Sequence, residues 1–219
     1  MKRPETYLEP KQRSAKVIEL LEKQYPNAKT ALNYSNPLEM LVATMLSAQT
    51  TDVRVNIVTQ SLFKKYRTPE DYANADIKEL EQDIHSTGFY HNKARNLQKC
   101  CQLLVEKFHS QVPRTMEELT ELPGVARKTA NIVLYYSYGI TAGIAVDTHV
   151  HRVSQRLGLT ENDDAAKIEQ ELMVITPKEK WMKLTDLLIT HGRQVCIARK
   201  PKCDVCSLSK ICPCAFAFG

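Results

Sequence analysis

The sequence predicts an all-α fold. Three observations support this. The chain has only seven glycines in 219 residues, its apolar residues recur at i, i+3 and i+4 along most of its length, and the alternation that half-buried strands require is scarce. At 43% apolar residues it can bury a sizeable core, and its length suits two modest domains as well as one.

The elements follow in order. "SAKVIELLEKQY" carries the first stripe. In "SNPLEMLVATMLSAQTTD", Asn36 is a cap, Pro37 fits the first helical position, and Leu38, Leu41, Val42, Met45 and Leu46 form one face. Further stripes run through "DVRVNIVTQSLFKKY", "KARNLQKCCQLLVEKF", "RKTANIVLYYSYG", "DTHVHRVSQRLG", "AAKIEQELMVI" and "EKWMKLTDLLITHG". Each is bounded by Pro, Gly, Asn or Asp, so helices of roughly ten to sixteen residues joined by short turns are expected. "ENDDAAK" reads as a loop and helix start with Asp163 or Asp164 as cap. Cys100 and Cys101 lie inside a helical stripe and read as small core residues. No low-complexity tract, fixed-period repeat or Gly/Ser linker interrupts the pattern.

Thirty Lys and Arg against 25 Asp and Glu give a net charge of +5, a mild bias toward polyanions. The opening "MKRPETYLEPKQRS" lacks the apolar run of a signal peptide, and no stretch approaches the roughly eighteen apolar residues of a membrane span. A soluble cytosolic protein is the expectation. An odd count of seven cysteines in a reducing compartment argues against a disulfide framework.

Five of those cysteines fall in "CIARKPKCDVCSLSKICPC". Cys196, Cys203, Cys206 and Cys212 read as C-x6-C-x2-C-x5-C, with Cys214 left over. Four such thiolates can hold zinc or a [4Fe–4S] cluster. The single C-x2-C pair with outliers matches neither paired zinc ligands nor ferredoxin runs, and ligand chemistry alone leaves zinc slightly ahead.

The most informative stretch is "MEELTELPGVARKTANIVLYY". A helix ends at "TEL", Pro123 and Gly124 force a tight turn, and a second helix is expected to start at about Val125 or Ala126. A short turn into a helix N-terminus presents unpaired N–H groups at the positive end of a dipole, and such a place accepts a phosphate whatever the base sequence. Pro-Gly alone would be an ordinary connection.

"LPGVARKTANIVL" resembles the helix-hairpin-helix of the DNA glycosylase superfamily, "IAVDTHVHRVSQRLG" the aspartate-bearing segment after it, and "MLSAQTTD" the upstream signature. With "GFYHNKARNL" and the cysteine spacing, the likeness runs from about residue 30 to Cys212 in one order, and is greatest to the endonuclease III family of glycosylase/lyases for oxidised pyrimidines. That resemblance implies a [4Fe–4S] cofactor on Cys196, Cys203, Cys206 and Cys212. It implies damaged or abasic double-stranded DNA as the partner of a monomer, a continuous domain over 30–141, and a second domain combining 1–29 with 142–219.

The resemblance also assigns roles. Lys128 would be the nucleophile, Asp147 its partner, and the two would meet between the lobes. An ordinary lysine keeps about one part in two thousand as free amine at pH 7, so burial, the helix N-terminus and Arg127 would have to lower its pKa. Asp147 would stabilise positive charge at C1′ while also capping "THVHRV". Gln49 would fill the gap left by an extruded base and Phe89, where leucine is expected, would be the wedge. Leu122, Pro123, Gly124, Val125 and Ala126 would bind phosphate, with Ala126 standing where glycine is expected and modestly weakening that contact. Arg199, Lys200 and Lys202, between the first two cysteine ligands, would form a basic knuckle on DNA. His149, His151 and His191 read as structural or DNA-contacting. The rivals are a monofunctional mismatch glycosylase, against which Lys128 weighs, a non-catalytic DNA-binding module, and a zinc scaffold.

Overall fold

The computed structural model describes residues 8–217, and among these the regular structure is helical throughout, with no strand. Eleven α-helices follow one another: α1 (Pro10–Gln24), α2 (Pro37–Leu46), α3 (Asp52–Lys65), α4 (Pro69–Ala73), α5 (Ile77–Asp83), α6 (Tyr90–Phe108), α7 (Met116–Glu121), α8 (Arg127–Tyr138), α9 (Thr148–Arg156), α10 (Ala165–Ile175) and α11 (Trp181–Gln194). None is long and apolar enough to cross a membrane.

The chain divides into two compact units, 31–142 and 1–30 with 143–219. The first holds α2–α8. Its core gathers Met40, Leu41, Leu46, Val55, Leu62, Leu97, Leu104 and Leu134, with α2 packed on α8 and with α4 and α5 on α6. The second holds α1 and α9–α11 around Val17, Leu21, Val150, Val153, Leu172, Leu184 and Leu188, with α11 packed on α9 and α1. Connections within a unit are mostly short. The chain passes between units inside two longer ones, 25–36 and 139–147, which the expectation of uniformly short turns did not separate.

Local chemistry explains where the helices begin. The Asn36 side chain accepts from Glu39 N and Pro37 follows it; Asp164, of the two candidates, caps α10 through Ala166 N and Lys167 N. Each such cap is worth ~1 kcal/mol. α4 and α5 carry no long apolar stripe, yet Thr68 and Asp71 form a reciprocal capping box and Asp76 caps α5. Cys100 and Cys101 are fully buried in the face that α6 turns to the core.

Candidate functional site

In the unit spanning 31–142, α7 ends at Glu121, Leu122 is buried, and Pro123-Gly124 turns the chain with Val125 N donating to Leu122 O at 3.0 Å. Gly124 has φ +80°, and a Cβ there would come within 2.9 Å of Asn96 Cβ and 3.1 Å of Met45 Cε. Backbone conformation and the approach of α6 and α2 thus both require glycine. Helix α8 begins at Arg127, one or two residues later than the sequence indicates, because Ala126 is still extended at φ −89°, ψ 167°. Alanine adopts that conformation without strain, so the departure from glycine leaves the turn intact. Ala126 brings no side-chain cap, and the first-turn N–H groups are left to whatever lies outside the helix.

Lys128 sits in that first turn, half-buried, and no hydrogen bond or ion pair holds its ammonium among the described residues. Gln49 and Phe89 lie on two loops of the same unit. Gln49 follows α2 in the left-handed region at φ +53°; Phe89 precedes α6 at φ +48° and is 65% exposed, so it is not a core residue.

Asp147, in the other unit, caps α9: its Oδ1 accepts from His149 N and from Val150 N, both at 2.8 Å, which leaves Oδ2 outside the cap. Of the histidines, His149 has its pKa lowered chiefly by burial, although Asp147 opposes this. His151 bonds the Asp163 carbonyl at 2.9 Å. His191 is buried, with a pKa pushed down to about 4, and its ring lies between Tyr25 Oη and Cys206 Sγ.

Cys196, Cys203, Cys206, Cys212 and Cys214 line one recess with Val153, Arg156, Leu157 and His191. Burial raises the Cys206 thiol and pushes the Cys212 thiol up to about 12. Thiolates there need a compensating positive centre, which iron supplies. Five cysteines line this one recess, more than the four thiolates that an iron–sulfur cluster takes. The donor set therefore fits an iron–sulfur cluster.

Arg199, Lys200 and Lys202 are exposed on the loop between the first two of these cysteines. Two residues that sequence patterns did not single out hold that loop. Arg152 donates from Nε and Nη2 to Cys196 O, at 3.2 and 3.1 Å, and Arg156 donates to Ile197 O at 2.9 Å and Ala198 O at 2.6 Å. Their spacing on α9 places both on one face, but nothing in the sequence says which carbonyls that face meets. Lys93 is a third such residue: its ammonium, 9% exposed as a residue, is bonded beneath the Gln49 and Phe89 loops.

The chain resembles known proteins along most of its length. Residues 42–178 match the family model described as HhH-GPD superfamily base excision DNA repair protein, and 196–212 match the iron-sulfur binding domain of endonuclease III. The chain is 52% identical to the endonuclease III of Synechocystis over 94% of both chains. It superposes with a TM-score of 0.90 on a non-covalent endonuclease III–DNA complex, at 48% identity, covering 94% of this chain and 96% of that one. A trapped endonuclease III–DNA covalent intermediate gives the same score and coverage at 47% identity.

Proposed function

The chain belongs to the endonuclease III family of the HhH-GPD superfamily, and as a DNA glycosylase and AP lyase of base excision repair that carries a [4Fe–4S] cluster, we propose that it acts on oxidised pyrimidines through Lys128 and Asp147. The observation that carries this reading is the place of Lys128: in the first turn of α8, directly behind a hairpin whose helix start has no side-chain cap.

In this reading the hairpin 122–126 takes a phosphate on its backbone N–H groups, and the damaged nucleotide is turned out of the stack because its C1′ is otherwise unreachable. Gln49 fills the vacated space and Phe89 stacks on the base opposite. The neutral amine of Lys128 then attacks C1′. The C1′–N bond breaks, the base leaves with the electron pair and takes a proton, and Asp147 Oδ2 stabilises the positive charge on the sugar. Ring opening gives a Schiff base between Lys128 and C1′. Loss of a C2′ proton then expels the 3′ phosphate by β-elimination, and water releases the lysine.

Cys196, Cys203, Cys206 and Cys212 would hold the cluster, which would anchor the 197–202 loop rather than supply chemistry at the sugar. Arg199, Lys200 and Lys202 on that loop meet phosphates. One copy of the chain suffices for every step, and the substrate places it on nucleoid DNA.

Borohydride reduction during turnover should leave a covalent adduct on the Lys128 peptide, and Lys128→Gln should abolish both adduct and nicking of abasic duplex. Nicking by Lys128→Gln at the parental rate would remove Lys128 from the mechanism.

A further inference from the structure

Two loops of the 31–142 unit, 47–51 and 88–89, come from distant parts of the sequence, yet one buried side chain joins them. Lys93 Nζ donates to Leu46 O, to Thr50 Oγ1 and to Thr87 O, each at 2.8 Å. Three N–H bonds meet three acceptors, so the ammonium is fully used. Thr50 Oγ1 in turn donates to Thr87 O, closing the ring between the loops. The Lys93 main chain joins in as well, with its N donating to Phe89 O at 3.1 Å.

The residues on either side explain why such a tether is needed. Gln49, next to Thr50, and Phe89, two after Thr87, are both non-glycine residues in the left-handed region, at φ +53° and +48°. That conformation is strained for a residue with a Cβ and persists only where neighbouring structure over-determines it. Leu46 O is one of the carbonyls that the end of α2 leaves unpaired, and the negative end of a helix dipole favours a cation there. A lysine fits because its stem can lie along the core while its head reaches both loops.

We propose that Lys93 is a positioning residue that locks the Gln49 and Phe89 loops into one rigid unit, so that both side chains enter the duplex together when a base is extruded. This rests on the assignment of Gln49 and Phe89 to the gap and the wedge. Lys93 itself touches neither DNA nor the sugar; it acts by fixing the spacing of two probes. Without it each loop can relax from its left-handed turn independently, and base extrusion loses concerted support while sugar chemistry on an already accessible abasic site does not.

The test compares single-turnover excision of an oxidised pyrimidine from duplex with nicking of an abasic site in a single-stranded oligonucleotide. Lys93→Met keeps the length and apolar stem but removes the three bonds. It should lower duplex excision about tenfold or more, while single-strand nicking stays within about twofold of the parent. In a Gln49→Ala/Phe89→Ala background, Lys93→Met should add nothing further. Thr50→Val, which removes the hydroxyl bridge and keeps the shape, should show the same selective loss to a smaller degree and serves if Lys93→Met does not fold. Equal loss on both substrates, loss that persists in the double-variant background, or no loss from either substitution would overturn the proposal. If Gln49→Ala/Phe89→Ala excises from duplex as fast as the parent, it is instead the gap-and-wedge assignment that fails.

Discussion

Substitution of Asp147 separates a structural role from a chemical one. Its Oδ1 receives two first-turn N–H groups at 2.8 Å, and its charge faces the positive end of α9. Asp147→Ala removes both contributions, a cap worth ~1–2 kcal/mol and a charge–dipole contribution of ~0.3–1 kcal/mol. Asp147→Asn keeps an acceptor oxygen in the same place and loses only the charge, about 0.3–1 kcal/mol. At roughly 2–4 °C per kcal/mol for a chain of this size, the asparagine variant should melt within a few degrees of the parent and the alanine variant clearly below it. Activity should not follow that order. Removing the carboxylate from a developing positive charge should slow base excision by about a hundredfold or more, and by a similar factor in both variants. Thermal unfolding by circular dichroism, with single-turnover excision well below both melting temperatures, measures the two effects separately. Parental excision by Asp147→Asn would refute the chemical role; equal melting of the two variants would refute the cap.

Other predictions follow from single features. Replacing Arg199, Lys200 and Lys202 by Gln should reduce the slope of log affinity against log salt by about 0.9 for each phosphate no longer neutralised, measured by fluorescence anisotropy on undamaged duplex; an unchanged slope would take the loop off the DNA. Gly124→Ala forces a methyl against Asn96 Cβ at φ +80°, and should cost ~1–3 kcal/mol in urea unfolding and weaken DNA binding, whereas Ala126→Gly should change stability by no more than about 1 kcal/mol. Cys212→Ala should lower iron content and the visible absorbance of the purified protein while Cys214→Ala leaves both unchanged; the reverse result would exchange their roles.

Features decided by neighbours in sequence were legible in the sequence, and those decided by neighbours in space were not. Asn36, Asp147 and Asp164 cap the helices that follow them because a short side chain reaches N–H groups two or three residues on. The long apolar stripes marked every long helix, while α4 and α5 escaped notice because the core they lean on is supplied by α6. The hairpin glycine and the grouped thiols were visible as patterns, since turn geometry and ligand spacing are local.

Nothing in "HNKARNL" marks Lys93, and only the fold brings the end of α2 and the turn before Phe89 to its ammonium, from 47 and six residues away. Arg152 and Arg156 gain their role only when the cysteine loop is laid on them. By itself the sequence determined the long helices, the caps Asn36 and Asp147, the hairpin and the grouping of the thiols. The tertiary structure alone decided which polar groups are buried together and which loops are bound into one, because satisfying a buried donor depends on acceptors that distant parts of the chain deliver.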